Sequence, residues 1–331
     1  MKQVSIEISS CPGTLSNGYE TYSPTALKRV FNGKKVSHLL PYLAPNLDEN
    51  TDQLFVNNRK QLSISGVQEK FSVLLEKNKL RLIREGEQGQ YILKPIPSAG
   101  KNPEQMPANE HLSMQLARQV FGIETAENAL IFFQNASPAY ITKRFDIDST
   151  GEKLAQEDFA TLAQLTPQTH GENYKYKGNY LDFFMLLKKY VPAYPIESLK
   201  LYKLIVFNYL IANGDAHYKN FSLIETSFGD FKLSPAYDLL NSRMHIEDSD
   251  FALNEGLLPP QFAKGKIRQQ FINLGEMAGL STTQIGKILT SLTSKTEEVK
   301  QLIQHSFLSE KFKRNYEQTF LTRLKKLTKD S

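Results

Sequence analysis

Three residues suited to phosphate chemistry follow one another along the chain as aspartate, asparagine and aspartate. Asp215 and Asn220 are five positions apart within residues 213–220, and Asp238 follows a predicted hairpin. Protein kinases place a catalytic aspartate and a magnesium-binding asparagine at this separation. We therefore interpret Asp215 as the base that accepts or orients a hydroxyl proton, and Asn220 and Asp238 as ligands of Mg²⁺. Without Asp238, the two loop residues are more simply explained as turn formers after a helix.

Such a site also needs a cation for the phosphates, and Lys94 is the candidate. It ends a predicted strand before Pro95, and a lysine at an otherwise apolar strand end must reach water or a partner. Glu110, at the start of the next predicted helix, is a possible partner. The alternatives are an edge-strand lysine and an acid in the first turn of a helix, where the helix dipole favours it.

A loop that covers the phosphates is predicted just before the first strand. The stretch Ser63-Ile64-Ser65-Gly66 has the right position but only one glycine. As a motif it is weak, and a simple strand-entry turn explains it equally well.

The sequence predicts an α/β (α+β) fold with two lobes, like that of protein kinases. Residues 62–94 alternate apolar and polar positions around short turns, which predicts antiparallel strands. Apolar residues at four-residue spacing predict a helix over 108–121, and apolar runs predict strands at 129–133 and 139–142. Helices dominate the rest, together with a hairpin at 221–233: 154–165, 180–190, 196–213, 266–278, 282–292, 295–305 and 309–327.

We expect this chain to have three parts. Residues 1–60 form a short segment that packs on the first lobe and does not fold alone. Residues 61–146 form a β-rich lobe with the serine/glycine loop and the lysine. Residues 147–331 form an all-helical lobe, apart from the hairpin, with the catalytic loop and the magnesium aspartate.

Composition limits the function classes. The chain has 331 residues, a net charge of +5 and one cysteine, Cys11, which cannot form an internal disulfide or a cysteine-based zinc site. Basic residues cluster at 311–329, which favours a charged helix face over a nucleic-acid patch. No signal core or membrane-length apolar run is present in the sequence, so we expect a cytoplasmic protein with no membrane partner.

Together these stretches resemble the HipA family of toxin serine/threonine kinases over residues 62–240. Several motifs occur in the family's order: Ser63-Ile64-Ser65-Gly66-Val67-Gln68-Glu69-Lys70 (serine-containing Gly-rich loop), Ile92-Leu93-Lys94-Pro95 (ATP-lysine strand), Asn109-Glu110-His111 (start of the N-lobe helix), Lys143-Arg144-Phe145-Asp146 (hinge), residues 214–222 (catalytic loop) and residues 233–238 (magnesium-aspartate motif).

The resemblance implies ATP and Mg²⁺ as cofactors. It implies that Gly66 and Ser65 help to cradle phosphate, and that Lys143 and Phe145 meet adenine while Asp146 reaches the ribose. Family members also phosphorylate a serine of their own Gly-rich loop, which ejects the loop and switches the kinase off. Ser63 and Ser65 both match that site.

Two further residues of the catalytic loop are candidates for support. Lys219 lies next to the candidate magnesium ligand and is interpreted as a catalytic residue near the γ-phosphate. His217 would duplicate Asp215 as a base, so a structural role is favoured for it.

The resemblance also implies partners. It places the chain in a bacterial toxin–antitoxin system, with an aminoacyl-tRNA synthetase as the protein substrate, a helix-turn-helix antitoxin, and DNA contacted only through that antitoxin. The two-serine loop and the short N-terminal part resemble the HipT branch, in which a separate small protein supplies an N-terminal subdomain. Such a partner would dock on residues 1–60.

Three alternatives remain open at this stage. The chain could be a catalytically idle module that binds an antitoxin, although Lys94, Asp215, Asn220 and Asp238 are all intact. It could be a small-molecule kinase. A metal-dependent hydrolase is least favoured, because it leaves Lys94 and the serine loop without a role.

Overall fold

The computed structural model describes residues 7–45, 69–247 and 249–328. The chain divides into two compact units. The first comprises Met1–Gln115, Ala126–Phe145 and Gln301–Lys313, and the second comprises Leu116–Thr125, Asp146–Lys300 and Arg314–Ser331. One division falls between Phe145 and Asp146, within the stretch interpreted as a hinge.

The first unit contains an antiparallel five-stranded sheet with the order β2-β1-β3-β5-β4. Its strands are β1 Phe71–Glu76, β2 Lys79–Leu82, β3 Tyr91–Pro95, β4 Asn128–Phe132 and β5 Pro138–Lys143. The predicted β1–β2 hairpin is confirmed. Its turn residues Lys77 and Asn78 both have positive φ, 46° and 66°, which a two-residue turn matched to the strand twist requires.

One helix packs on this sheet. Helix α2, Met106–Gln115, contacts β4 and β5 and continues as a π-helical turn over Leu116–Val120. The prediction of a helix at 108–121 is thus confirmed, with a wider last turn. Gly122 follows with φ 60°, a conformation that ends helices and favours glycine.

The described part of the N-terminal segment shares the core of the sheet. Ser23 followed by Pro24 predicts the start of a helix, and helix α1, Pro24–Phe31, begins there because the Ser23 side chain accepts a hydrogen bond from the N–H of Ala26. Phe31 packs in one apolar cluster with strand residues of β1 to β5. The backbone N–H of Leu40 also donates to the carbonyl of Phe132 at 2.7 Å, which covers the edge of β4.

The second unit is mainly helical. Its helices are α3 Phe159–Leu162, α4 Pro167–His170, α5 Leu181–Tyr190, α6 Tyr194–Leu210, α7 Ile267–Met277 and α8 Thr282–Thr293. Helix α9, Thr296–Gln304, and the last helix α10, Glu310–Thr328, each include residues of both units. Helices α5 to α10 lie close to their predicted positions, whereas α4 was not predicted.

A three-stranded antiparallel sheet adds to the helices of the second unit. It consists of β6 Gln156–Asp158, β7 Ser222–Glu225 and β8 Phe231–Leu233, in that order. The hairpin of β7 and β8 was predicted. The helix predicted at 154–165 is confirmed only over α3, Phe159–Leu162, and a strand takes the place of its first residues. Strand β6 forms there because Glu157 pairs with Leu223 of β7, a tertiary contact that overrides local helical periodicity.

The basic cluster near the chain end is partly buried rather than a single charged face. Arg323 on α10 is buried, lies 2.6 Å from the carboxylate of Asp250 and stacks over the ring of Tyr209 at 4.7 Å. Lys326 pairs with the same aspartate at 3.4 Å. Two of its cations therefore have structural partners.

Among the described helices, none has the length and apolar character needed to cross a bilayer.

Candidate functional site

The first unit holds Lys94 and Glu110 as a buried ion pair. Lys94 lies on β3, between β1 and β5, so it is not the edge-strand lysine that the sequence left open. Its Nζ lies 2.7 Å from Oε1 of Glu110 on α2, and the two side chains are only 5% and 4% exposed. Nζ also lies 5.4 Å above the ring centre of Tyr140. The strand and helix thus fix a lysine ammonium group, as a phosphate-binding lysine requires.

In the second unit, the candidate catalytic loop follows α6. The hydroxyl of Ser242 fastens its start, since it accepts from the N–H of Gly214 at 2.8 Å and donates to the carbonyl of Ala212 at 3.0 Å. The loop closes on itself where the N–H of His217 donates to Oδ1 of Asn220 at 3.1 Å. Asp215 and Asn220 are therefore held in one rigid turn.

The carboxylate of Asp215 is open to solvent on one side and contacted on the other. Its side chain is 40% exposed. Oδ1 accepts a hydrogen bond from the hydroxyl of Tyr176 at 2.8 Å and lies 3.9 Å from Nε2 of His217. Burial lowers the pKa of His217 to about 4, although the charge of Asp215 opposes this shift. His217 is thus neutral near pH 7, which agrees with a supporting role.

Asn220 and Asp238 offer the oxygen ligands that Mg²⁺ prefers. Asp238 follows β8 with a left-handed backbone, φ 54°, and the preceding Tyr237 donates its hydroxyl proton to the carbonyl of Lys219 at 3.0 Å. The structure thereby ties the segment before Asp238 to the loop that carries Asn220. Oδ1 of Asn220 keeps a second lone pair beyond its bond to the loop backbone.

The two side-chain oxygens of Asn220 and Asp238 fit a magnesium ion that takes its other ligands from a nucleotide and water. One carboxylate and one amide oxygen are too few for a closed cage, and Mg²⁺ commonly completes its shell with phosphate oxygens and water. Within residues 7–45, 69–247 and 249–328, no group of three or more His, Cys, Asp or Glu side chains could hold a metal ion.

Lys219 is engaged by a residue that the sequence did not indicate. Its Nζ donates to Oδ2 of Asp158 at 3.1 Å, while Oδ1 of the same carboxylate caps α3. Burial by itself lowers the pKa of Lys219, but the bond to Asp158 raises it above the ordinary value, so the ammonium stays charged. The contact crosses from β6 to the catalytic loop, and no local spacing could have predicted it.

The stretch interpreted as a hinge is already bonded to the first sheet at two of its N–H groups. The N–H of Lys143 donates to the carbonyl of Glu127 at 2.7 Å, and that of Arg144 donates to Gln90 at 2.9 Å. The Lys143 ammonium donates to Oδ1 of Asn32 at 2.7 Å. An adenine ring would therefore have to contact this stretch at other groups.

The roles of the remaining hinge and loop candidates stay predictions. Phe145 is partly buried, and Asp146 is buried and accepts at its carbonyl from the N–H of Leu154. Ser63, Ser65 and Gly66 lie outside the described residues, so the serine/glycine loop stays a prediction.

Solved structures share this fold. HipA of Shewanella oneidensis MR-1, in a complex with HipB and operator DNA, aligns with a TM-score of 0.60 at 20% identity, over 80% of this chain and 64% of that chain. CtkA, a proinflammatory kinase of Helicobacter pylori, aligns with a TM-score of 0.51 at 14% identity, over 77% of this chain and 92% of that chain. The fold is thus the mixed α/β fold of HipA and CtkA, with a curled antiparallel sheet and helices.

Sequence comparison defines the family. The family described as "HipA-like C-terminal domain" matches residues 62–303. Since this is well over half of the chain, the chain belongs to that family. A Haemophilus influenzae protein named "Putative kinase" is 26% identical over 315 residues, 87% of either chain. "Putative kinase Y4dM" of Sinorhizobium fredii is 33% identical over 224 residues, 63% of this chain and 52% of that protein.

Proposed function

We propose that this protein is an ATP-dependent kinase that transfers phosphate to a serine or threonine hydroxyl of a protein. The buried ion pair of Lys94 and Glu110 carries the proposal, because a lysine ammonium on an inner strand is costly to bury unless an opposite charge pairs with it. The lysine–glutamate pair between a strand and the following helix is a recurring part of kinase sites. Kinase names among the relatives support the same activity.

Each candidate residue has a separate task in this proposal. Lys94 binds phosphate oxygens of ATP, and Asn220 with Asp238 holds Mg²⁺, which neutralises the charge on the phosphates when bound. Asp215 accepts the proton of the acceptor hydroxyl or orients that hydroxyl for attack. Lys219, on the same loop as Asp215, stays protonated and assists the transfer near the γ-phosphate.

The test is mass spectrometry and ADP release after incubation with ATP and Mg²⁺. Wild type should release ADP and gain phosphate on Ser63 or Ser65, and Asp215→Asn should lower both rates by about 10²–10⁴-fold while keeping its melting temperature. Glu276→Gln, on the exposed side of α7, is the control for removal of one carboxylate charge. If wild type binds no ATP and gains no phosphate, the kinase proposal is wrong.

We also propose that phosphate on Ser63 and Ser65 switches the kinase off. A doubly modified loop would carry about −3 to −4 of added charge, which repels the phosphates of ATP. The phosphorylated chain should therefore bind ATP more weakly than the unmodified chain. Equal affinities of the two forms for ATP would refute the switch.

A toxin–antitoxin role is part of the proposal. The Shewanella HipA structure contains HipB and operator DNA, which supports an antitoxin partner for this chain. This chain spans 64% of that HipA and 52% of Y4dM. A separate small protein, as in the HipT branch that the sequence resembles, is a second partner to test by co-purification.

The proposed substrate is an aminoacyl-tRNA synthetase, and phosphoproteomics after induction would identify it. A phosphorylated serine on a synthetase should appear with wild type and be absent with Asp215→Asn. Labelling of a metabolite with no labelled protein would favour the small-molecule kinase. An antitoxin complex that forms normally with an inactive wild-type chain would favour the idle binding module.

A further inference from the structure

Tyr176 contacts the candidate base, although no sequence motif includes it. Its hydroxyl donates to Oδ1 of Asp215 at 2.8 Å. A hydrogen bond to a carboxylate is among the stronger hydrogen bonds in proteins. The acceptor hydroxyl of a kinase substrate would make a bond of the same kind to the same carboxylate.

The surrounding structure holds this tyrosine in place. It lies in a 3₁₀ turn, Tyr174–Tyr176, and its carbonyl accepts from the N–H of Asn254 at 2.9 Å. Its ring meets the buried ring of His217 edge-on, with centroids 5.2 Å apart. The ammonium of Lys175 lies 5.0 Å from the centre of the Tyr176 ring. Tyr176 is therefore a fixed contact of Asp215.

The segment that follows Tyr176 is anchored to the same unit. The carbonyl of Gly178 accepts from the N–H of Glu255 at 3.1 Å, and the hydroxyl of Tyr180 donates to the carbonyl of Ala216 at 2.8 Å. Gly178 has φ 77°, and a Cβ there would lie 2.5 Å from Oδ2 of Asp182. This segment is fitted closely to the catalytic loop, as a positioning element must be.

We propose that Tyr176 is a positioning residue that holds one carboxylate oxygen of Asp215 and leaves the other oxygen for the acceptor hydroxyl; the inference rests on the proposed kinase function. A phenol donates one proton, whereas a carboxylate offers about four acceptor positions on two oxygens. The Asp215 side chain remains 40% exposed with Tyr176 bound, so the tyrosine does not cover the base.

The hydroxyl matters because proton transfer depends on orientation. Without it, the carboxylate of Asp215 is free to rotate, and a displacement of about 1 Å at a reacting group can slow an enzyme by about two orders of magnitude. The cost should appear in turnover and not in ATP binding, since the hydroxyl of Tyr176 donates to the base.

The variant Tyr176→Phe removes the hydroxyl and keeps the ring against His217. We expect kcat for Mg²⁺-ATP-dependent phosphate transfer to fall about tenfold or more, the effect of losing one hydrogen bond to a charged group. The KM for ATP should stay within about twofold, because binding determinants are unchanged. Tyr194→Phe is the matched control, since it removes a phenol bond to the carbonyl of Ala278 at 2.6 Å elsewhere in this unit.

A double variant separates positioning from a structural effect. If Tyr176 acts through Asp215, adding Tyr176→Phe to Asp215→Ala should leave the residual rate unchanged, whereas an independent structural effect would lower it further. A single variant with wild-type or higher kcat overturns the inference alone. A wild type that neither binds ATP nor transfers phosphate overturns the proposed function, and the inference with it.

Discussion

The ion pair of Lys94 and Glu110 makes a quantitative prediction about stability. At 2.7 Å and an effective dielectric constant of about 20, two unit charges attract each other by about 6 kcal/mol, and desolvation offsets part of this. Removal of one partner leaves the other charge buried, which typically costs about 3–5 kcal/mol. We expect Lys94→Met and Glu110→Gln each to lower the free energy of unfolding of the first unit by that amount.

The double variant Lys94→Met/Glu110→Leu should lose less free energy of unfolding than the sum of the two single losses. It leaves no buried charge, so we expect it to regain at least about 2 kcal/mol relative to additive single losses. Urea unfolding followed by circular dichroism is the assay, since the chain contains no tryptophan for fluorescence. None of these variants should transfer phosphate, because each lacks Lys94, the proposed phosphate-binding lysine, or the glutamate that pairs with it.

A matched control tests whether burial is the cause. Lys313 and Glu310 form an ion pair of 2.9 Å in the same unit, but the glutamate is 75% exposed. Lys313→Met should therefore cost less than about 1 kcal/mol. If Lys94→Met costs no more than Lys313→Met, or if the two buried variants are additive, the reasoning from burial is wrong.

Two further predictions concern packing and pH. Burial lowers the pKa of His111 to about 3, below its usual value in unfolded chains, so the unfolded state binds the proton first and stability falls as pH drops below about 6.5. Between pH 7.5 and 5 this loss should reach about 2 kcal/mol in urea titrations, and His111→Gln should remove it; an unchanged slope would contradict the assignment. A Cβ at Gly13 would lie 2.5 Å from that of Ala26, so Gly13→Ala should lower the free energy of unfolding by about 1–3 kcal/mol. Gly286 on α8 has open space around it, so Gly286→Ala should raise the free energy of unfolding by about 0.5–1 kcal/mol. Equal unfolding midpoints for the two alanine variants would refute this.

The sequence could predict much of the fold because local signals and tertiary structure agree in most elements. Polar turns between alternating strands predict the first sheet, and Ser23 before Pro24 correctly marks the start of α1. The helix predicted at 154–165 was too long because a local pattern cannot show that β7 pairs with β6.

The sequence by itself determined the order and spacing of the candidate site, because Asp215 and Asn220 share one short loop. Only the tertiary structure decided their surroundings. It decided that Lys94 pairs with Glu110, 16 positions away, which the sequence had left open, and it placed Tyr176 against Asp215, 39 positions away. Contacts between such distant positions depend on how helices and strands pack, and the spacing of residues along the chain does not encode them.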